Sequence, residues 1–221
     1  MRINLKVSPN KEMIPFDHLP ALAGTLHKWL GPNAEHDGLS LYSFSWLQNG
    51  IASKDGINFP NGTSWIVSAF NDDFLRRSIE GILKSPEIRW GMKVTELTIQ
   101  MLPEFKDHDE TRFLVSSPIL VKRSVENGGE KHFLYTDTES DNLLTETLKR
   151  KLRAAEMDDS DISVRFDRDY HKAKTQLVKY RQINNRCSYC PVLIKGSAAQ
   201  KSFAWTVGIG NSTGIGFGSL K

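Results

Sequence analysis

Ser64-Trp65-Ile66-Val67-Ser68-Ala69-Phe70-Asn71-Asp72-Asp73-Phe74-Leu75-Arg76-Arg77-Ser78-Ile79-Glu80-Gly81-Ile82-Leu83-Lys84 is the run whose reading decides the fold. Ser64 to Phe70 reads as a strand, and Asn71-Asp72-Asp73 supplies a cap for a helix over roughly Asp72 to Lys84. Upstream, Leu39 to Trp46 alternates, with Leu39, Leu41 and Ser43 on one side and Tyr42, Phe44 and Trp46 on the other. Before it, Leu19, Leu22, Ala23, Leu26 and Leu30 recur at helical spacing, and Gly31-Pro32 ends that helix. Residues 2–7 form a first strand. Downstream, another strand covers about Lys93 to Leu102.

The resulting order is strand, helix, strand, strand, helix, strand. It predicts an α+β, ferredoxin-like (RRM-like) unit with both helices on one face of an antiparallel sheet. The polar stretch Pro103 to Glu110 reads as a linker, which places one domain at 1–109 and a second at 110–221. In the second, strands are expected at Phe113 to Val121, Ser163–Phe166, Val192–Lys195 and Phe203–Val207. Asn127-Gly128-Gly129 reads as a turn, and a polar helix as running from about Asp141 to Ala155. Tyr170 to Tyr189 fits a hairpin of long basic strands. The whole reads as two tandem ferredoxin-like domains, the second less regular, with a C-terminal glycine-rich loop.

Of 221 residues, 39% are hydrophobic and 25% charged, as in an ordinary globular protein with a sizeable core. The net charge is only +3, but from Ile162 to Lys221 ten basic residues face two acids, a local surplus of eight. That asymmetry points to an anionic partner, a nucleic acid above all, against the plainer reading of a solvated basic face. The start alternates polar and apolar residues where a signal peptide needs a continuous apolar stretch. No segment is apolar enough to span a membrane, so a cytoplasmic protein is expected. Cys187 and Cys190 are too few ligands for a structural zinc site unless a second chain or distant histidines contribute. With Pro191 following, they do not open a helix as a redox pair does, and their spacing reads as chance.

The strongest local feature is Gly208-Ile209-Gly210-Asn211-Ser212-Thr213-Gly214-Ile215-Gly216-Phe217-Gly218, with five glycines in eleven residues. Glycines let backbone amides approach an anion or a base closely. No helix follows to make a dinucleotide site, and no Gly-Lys-Ser/Thr makes a phosphate loop. The loop is expected to follow one strand and return into another, Gly216 to Lys221. The bland alternative is a glycine-rich hairpin whose glycines merely allow tight packing.

On this tail the chain resembles the CRISPR RNA-processing endoribonucleases, within the repeat-associated RNA-binding (RAMP) superfamily. Leu41-Tyr42-Ser43-Phe44-Ser45 after the first helix and Phe113-Leu114-Val115-Ser116-Ser117-Pro118-Ile119 opening the second half extend the likeness over almost the whole chain. The resemblance implies a metal-independent, cofactor-free ribonuclease acting on CRISPR repeat RNA. The ribose 2′-OH attacks the adjacent phosphate, leaving a 2′,3′-cyclic phosphate and a 5′-OH. A homodimer and a CRISPR effector complex are further assemblies compatible with it.

Such a reaction needs a base, an acid and charge-stabilising groups, and histidine suits both proton transfers. His27 lies near the end of the first helix, at the edge of its buried face, and His36 lies in the connection Gly31 to Gly38. Packing or plain surface exposure are their ordinary alternatives. By the resemblance, His36 matches the catalytic histidine, here the general acid. His27 is then base or phosphate positioner, with the roles open to exchange. Leu39-Ser40 stands where some relatives carry a lysine, making Ser40 a candidate third group and Lys28 a weaker one. His18 precedes the first helix and reads as a capping-region residue, the alternative being an approach to the active site; His108 lies in the acidic linker with no expected role; His132 and His171 read as surface residues, His171 with RNA contact as its alternative. RNA contacts are expected from Arg165, Arg168, Lys172, Lys174, Lys179, Arg181 and Arg186. The exposed loop at Gly208, Gly210, Asn211, Ser212, Thr213, Gly214 and Gly216 should add to them. A non-catalytic RNA-binding subunit, or a basic interaction module, are the competing readings; salt-dependent RNA binding excludes the second.

Overall fold

The computed structural model describes residues 1–32, 38–125 and 128–221 and shows an α+β architecture. The first half comprises β1 (Arg2–Val7), α1 (Leu19–Leu30), β2 (Tyr42–Phe44), β3 (Ile51–Ala52), β4 (Ile57–Asn58), β5 (Thr63–Ala69), α2 (Asp72–Lys84) and β6 (Val94–Gln100). Four of these strands form one antiparallel sheet in the order β2-β5-β1-β6. The two-residue period of β1 sends Ile3, Leu5 and Val7 into a core shared with Leu22 and Leu26 of α1 and Phe74 and Leu75 of α2. The α2 start is capped as its sequence suggests: Asn71 Oδ1 accepts from the Asp73 amide at 2.9 Å. The strand expected over Leu39–Trp46 is shorter. Leu41 packs on the core of the second half while its carbonyl accepts from Phe70 N at 3.0 Å; beyond Ser45, Trp46 N donates to Ser116 O and Trp46 Nε1 to the Gly216 carbonyl at 2.8 Å, so the chain turns out of the sheet at Trp46. The small β3–β4 hairpin was not expected.

The second half comprises β7 (Glu110–Phe113), β8 (Val121–Ser124), β9 (Glu130–Phe133), α3 (Glu139–Ala154), β10 (Ser163–Phe166), β11 (Lys174–Tyr180), β12 (Ile183–Tyr189), β13 (Val192–Lys195) and α4 (Ala198–Val207). Its sheet runs β10-β13-β7, and a single bridge, Val115 to Leu220, extends it beyond β7. Phe113, Val164, Phe166, Val192 and Ile194 pack under Leu144, Leu148 and Leu152 of α3 and Phe203 and Val207 of α4. The β8–β9 and β11–β12 hairpins stand outside this sheet.

Three expectations are corrected. Phe113 to Val121 is not one strand, because its amides serve different partners: Ser116 N donates to Ser219 O and Ile119 N to Ser188 O, each at 2.8 Å. Phe203–Val207 is the last part of helix α4. Ser197 and Gln200 close a reciprocal capping box at its start, and all five residues are buried, so no face needs to alternate. Gly216 to Lys221 is irregular apart from the Leu220 bridge. The stretch read as a linker is pinned: Asp107 Oδ1 accepts from Ala198 N at 2.7 Å, and His108 N donates to Gly196 O at 2.9 Å.

The halves interlock. Val178 and Cys187 of the β11–β12 hairpin and Phe217 of the tail are buried in the first core. Arg2 reaches the other way: its buried guanidinium donates to Ser68 Oγ, Trp205 O and Leu220 O and stacks 3.3 Å over the Trp205 ring.

Candidate functional site

The C-terminus of α4 leaves backbone carbonyls that need donors from outside the helix. Each is met. Ala204 O accepts from Gly208 N at 2.9 Å, and Trp205 O from Arg2 at 2.8 Å. Thr206 O accepts from Ser43 Oγ at 3.0 Å, and Val207 O from Lys151 Nζ at 3.1 Å. Two of these donors come from the first half of the chain. The helix end is thus a junction, and the glycine-rich segment leaves directly from it.

That segment is not the exposed loop expected from sequence. Gly208, Gly210, Gly214 and Gly216 are buried, and several of its amides are already used: Gly208 N, Ile209 N, Asn211 N, Gly216 N and Gly218 N all donate to backbone carbonyls. Glycine is required by close approach. At Gly210 (φ +80°) a Cβ would stand 2.5 Å from the Leu120 carbonyl oxygen. At Gly214 it would meet Ser40 Oγ and the Tyr42 ring and hydroxyl. The loop therefore sits against Ser40 and Tyr42.

Its other side forms the floor of a cleft of about 720 Å³, whose walls include Gly38, Ser40, Lys122, Arg150 and the stem of Lys151. A second cleft of about 350 Å³ shares Lys122, Thr147, Arg150 and Asn211 with it, and adds Arg123, Arg153, Glu130 and Glu146. Lys122, Arg123, Arg150 and Arg153, four cations against the two carboxylates Glu130 and Glu146, make this groove attractive to a polyanion. Some of the charge is engaged: Lys122 pairs with Glu130 at 2.9 Å, Arg153 with Asp159 at 2.8 Å, and Arg123 donates to Leu143 O and Thr147 Oγ1. Arg150 is exposed and makes no ion pair among the described residues. Sequence reading missed Lys122, Arg123, Arg150 and Arg153. The available signal was the spacing Thr147, Arg150, Lys151, Ala154, which sets one stripe of α3 toward the groove.

Of the two candidate histidines, His36 lies outside the described residues. His27 is half-buried on α1, with Nε2 3.4 Å from the Tyr42 hydroxyl and the two rings edge to face at 6.4 Å. Tyr42 is itself buried on β2, against Phe74. So His27 meets Tyr42, and Tyr42 and Ser40 flank Gly214; of these four, Ser40 and Gly214 line the cleft. His18 is buried at the start of α1; burial is the main cause of its lowered pKa, and Nδ1 lies 3.0 Å from Pro15 O. His132 is not a plain surface residue: Nε2 is buried, and desolvation lowers its pKa, assisted by the charges of Lys122 and Arg186 and opposed by Glu130.

The basic residues expected from sequence lie elsewhere than the cleft. Arg165 forms a two-pronged pair with Glu110 at 2.9 and 2.8 Å, and Arg168 pairs with Asp141 at 2.6 Å. Lys172, Lys174, Lys179, Arg181 and Arg186 are exposed on the β11–β12 hairpin or just before it. The hairpin register puts Lys179 and Arg186 on one face and Lys174, over the Tyr189 ring at 5.7 Å, on the other.

Cys187 and Cys190 are buried in different cores, and burial pushes each thiol up to about 12, so their spacing builds no joint site. Among the described residues no group of three His, Cys, Asp or Glu gathers to hold a metal ion, and no helix is long and apolar enough to cross a membrane.

Comparison with known proteins gives the same picture at the level of fold. No curated protein matches the chain. Among solved structures, the product of a Cas6-related gene from Pyrococcus furiosus aligns with a TM-score of 0.85 at 22% identity, covering 100% of this chain and 97% of the other. A RAMP protein described as binding different RNA substrates aligns with a TM-score of 0.84 at 23% identity, covering 100% and 98%. A CRISPR-associated protein Cas6 aligns with a TM-score of 0.82 at 22% identity, again over 100% and 98%. A family model described as CRISPR associated protein Cas6, C-terminal, matches residues 100–221. With more than half of its length under that model, the chain belongs to the CRISPR-associated Cas6 family.

Proposed function

We propose that the protein is a metal-independent endoribonuclease that cuts CRISPR repeat RNA within a precursor transcript. Its two halves, 1–109 and 110–221, act as tandem ferredoxin-like domains. The observation that carries this reading is the continuity of the cation-walled cleft with the group of Ser40, Tyr42 and His27 across the glycine-rich loop. A polyanion in the cleft brings its phosphates to Lys122, Arg123, Arg150 and Arg153, while Asn211, Ser212, Thr213 and the adjoining glycines line the floor. Of the exposed hairpin cations Lys172, Lys174, Lys179, Arg181 and Arg186, Lys179 and Arg186 share one face and extend the phosphate track.

In the reaction the 2′-oxygen attacks phosphorus, and its proton passes to a base. The P–O5′ bond breaks, and an acid protonates the leaving oxygen. His27 takes the base or phosphate-positioning role, and Tyr42 at 3.4 Å orients its ring. His36 is the acid; Gly38, two positions later in the chain, lines the cleft. Ser40, also in the cleft wall, donates to a phosphorane oxygen. Single-turnover cleavage of repeat RNA by His27→Ala, His36→Ala and Ser40→Ala tests these roles. Each histidine variant should lose about 100-fold or more, the usual size of a general acid–base contribution, and Ser40→Ala less. Wild-type rates in both histidine variants contradict the assignment, and tight binding without cleavage by the wild-type protein favours a non-catalytic RNA-binding subunit.

A further inference from the structure

Lys151 is the one lysine of α3 whose amine is sealed inside the protein, 2% exposed. Its Nζ lies 3.1 Å from Val207 O, 3.3 Å from Gly208 O and 2.9 Å from Thr213 Oγ1. The Thr213 hydroxyl spends its own proton on Tyr42 O at 2.9 Å, so its oxygen can only accept from Lys151. All three partners of Nζ are therefore acceptors. Three acceptors require three N–H groups, which only the ammonium form carries. A dry ammonium is costly: burial pulls its pKa down to about 7, with neighbouring Arg150 adding to the effect. The bonds it makes are all local to the glycine-rich loop.

The arrangement has a direction. Val207, Gly208 and Thr213 bracket the first turn of the loop, and Lys151 ties them to one atom. Thr213 then ties the loop to the backbone of Tyr42, whose hydroxyl stands 3.4 Å from His27 Nε2. The sequence offers no lysine beside Ser40, where a cation could act on the reacting phosphate directly. We infer that Lys151 is a positioning residue for the cleavage reaction, holding the glycine-rich loop in the one shape that presents the cleft floor and the Tyr42–His27 pair together. This rests on the nuclease reading above. Lys151 acts through Thr213 and the loop backbone and touches no RNA with its amine.

The test uses the full-length protein with repeat RNA in EDTA, and three variants: Lys151→Met, Lys151→Arg and Thr213→Val. Amide hydrogen exchange over 208–216, the RNA Kd and the single-turnover rate are measured for each. Lys151→Met should lose protection across the loop and cut about 10-fold or more slowly, the size expected when an orienting partner is removed, with Kd within about 3-fold. Lys151→Arg should regain part of the rate. Thr213→Val should move rate and exchange in the same direction, and the double variant with Lys151→Met should be no slower than Lys151→Met alone. A wild-type rate and unchanged loop protection in Lys151→Met overturn the inference. So does a slower rate that merely follows the folded fraction and is not regained by arginine. If Lys151→Met does not fold, Thr213→Val decides: a wild-type rate there overturns it. Failure of the wild-type protein to cut sinks the nuclease reading and this inference with it, whereas wild-type cutting with no loss in the variants sinks the inference alone.

Discussion

Replacing Arg150 by alanine separates the groove seen in the structure from the basic surface expected from sequence. Arg150 lines both clefts, is exposed, and makes no ion pair among the described residues, so no ion pair among them has to break for it to meet a phosphate. Arg165 is the opposite case: its guanidinium is held at two points by Glu110, away from the cleft. One lost phosphate contact lowers the slope of log K against log salt by about 0.7 for single-stranded RNA. A charge-assisted hydrogen bond contributes about 1.5 kcal/mol at the low end, or roughly a 10-fold weaker Kd. Fluorescence anisotropy with repeat RNA between about 50 and about 200 mM salt measures both quantities. Arg150→Ala should show both changes and Arg165→Ala neither. A full slope change in Arg165→Ala with none in Arg150→Ala would refute the location of the groove.

Other outcomes follow from the same contacts. Arg2→Met leaves Trp205 O and Leu220 O without their donor, and should lower stability in urea unfolding by about 2–4 kcal/mol; an unchanged midpoint would mean these carbonyls find other partners. Gly214→Ala drives a methyl into Ser40 Oγ and the Tyr42 ring. It should cost about 1–3 kcal/mol by overpacking and slow cleavage by moving Tyr42 from His27; a wild-type rate would detach the loop from the reaction. His18 is held below the ordinary imidazole value chiefly by burial, so the unfolded chain takes up its proton first as pH falls. Stability should therefore drop below about pH 6.5, with a slope from this residue of at most about 1.4 kcal/mol per pH unit. His18→Gln should flatten that acid limb in pH-dependent unfolding, and an identical profile would remove His18 as its source.

How much was legible depended on period and distance. α1 matches its expected bounds, Leu19–Leu30, because five apolar residues repeat at helical spacing and Gly31 closes the helix. Phe203–Val207 carried no such period: every residue there is buried, and a short apolar run reads equally as strand or helix. The Ser197–Gln200 box was the local signal that distinguishes the two. The glycine-rich tail stood out in composition, but its burial depends on Leu120, Ser40 and Tyr42, remote in sequence. The same distance hid the fate of the basic residues. Arg165 and Glu110 are 55 positions apart, and Arg168 and Asp141 are 27 apart, so no local pattern marks those charges as engaged. Arg150 and Arg153 were passed over because α3 read only as a polar helix, and its groove-facing stripe is apparent once β8 lies beside it.

The most direct test of the central claim is end-group analysis of repeat RNA incubated with the wild-type protein in EDTA. The account predicts a single cut leaving a 2′,3′-cyclic phosphate on the upstream fragment and a 5′-OH on the downstream one. No cut in EDTA with cleavage on adding magnesium, or products bearing a 5′-phosphate and a 3′-OH, would contradict it.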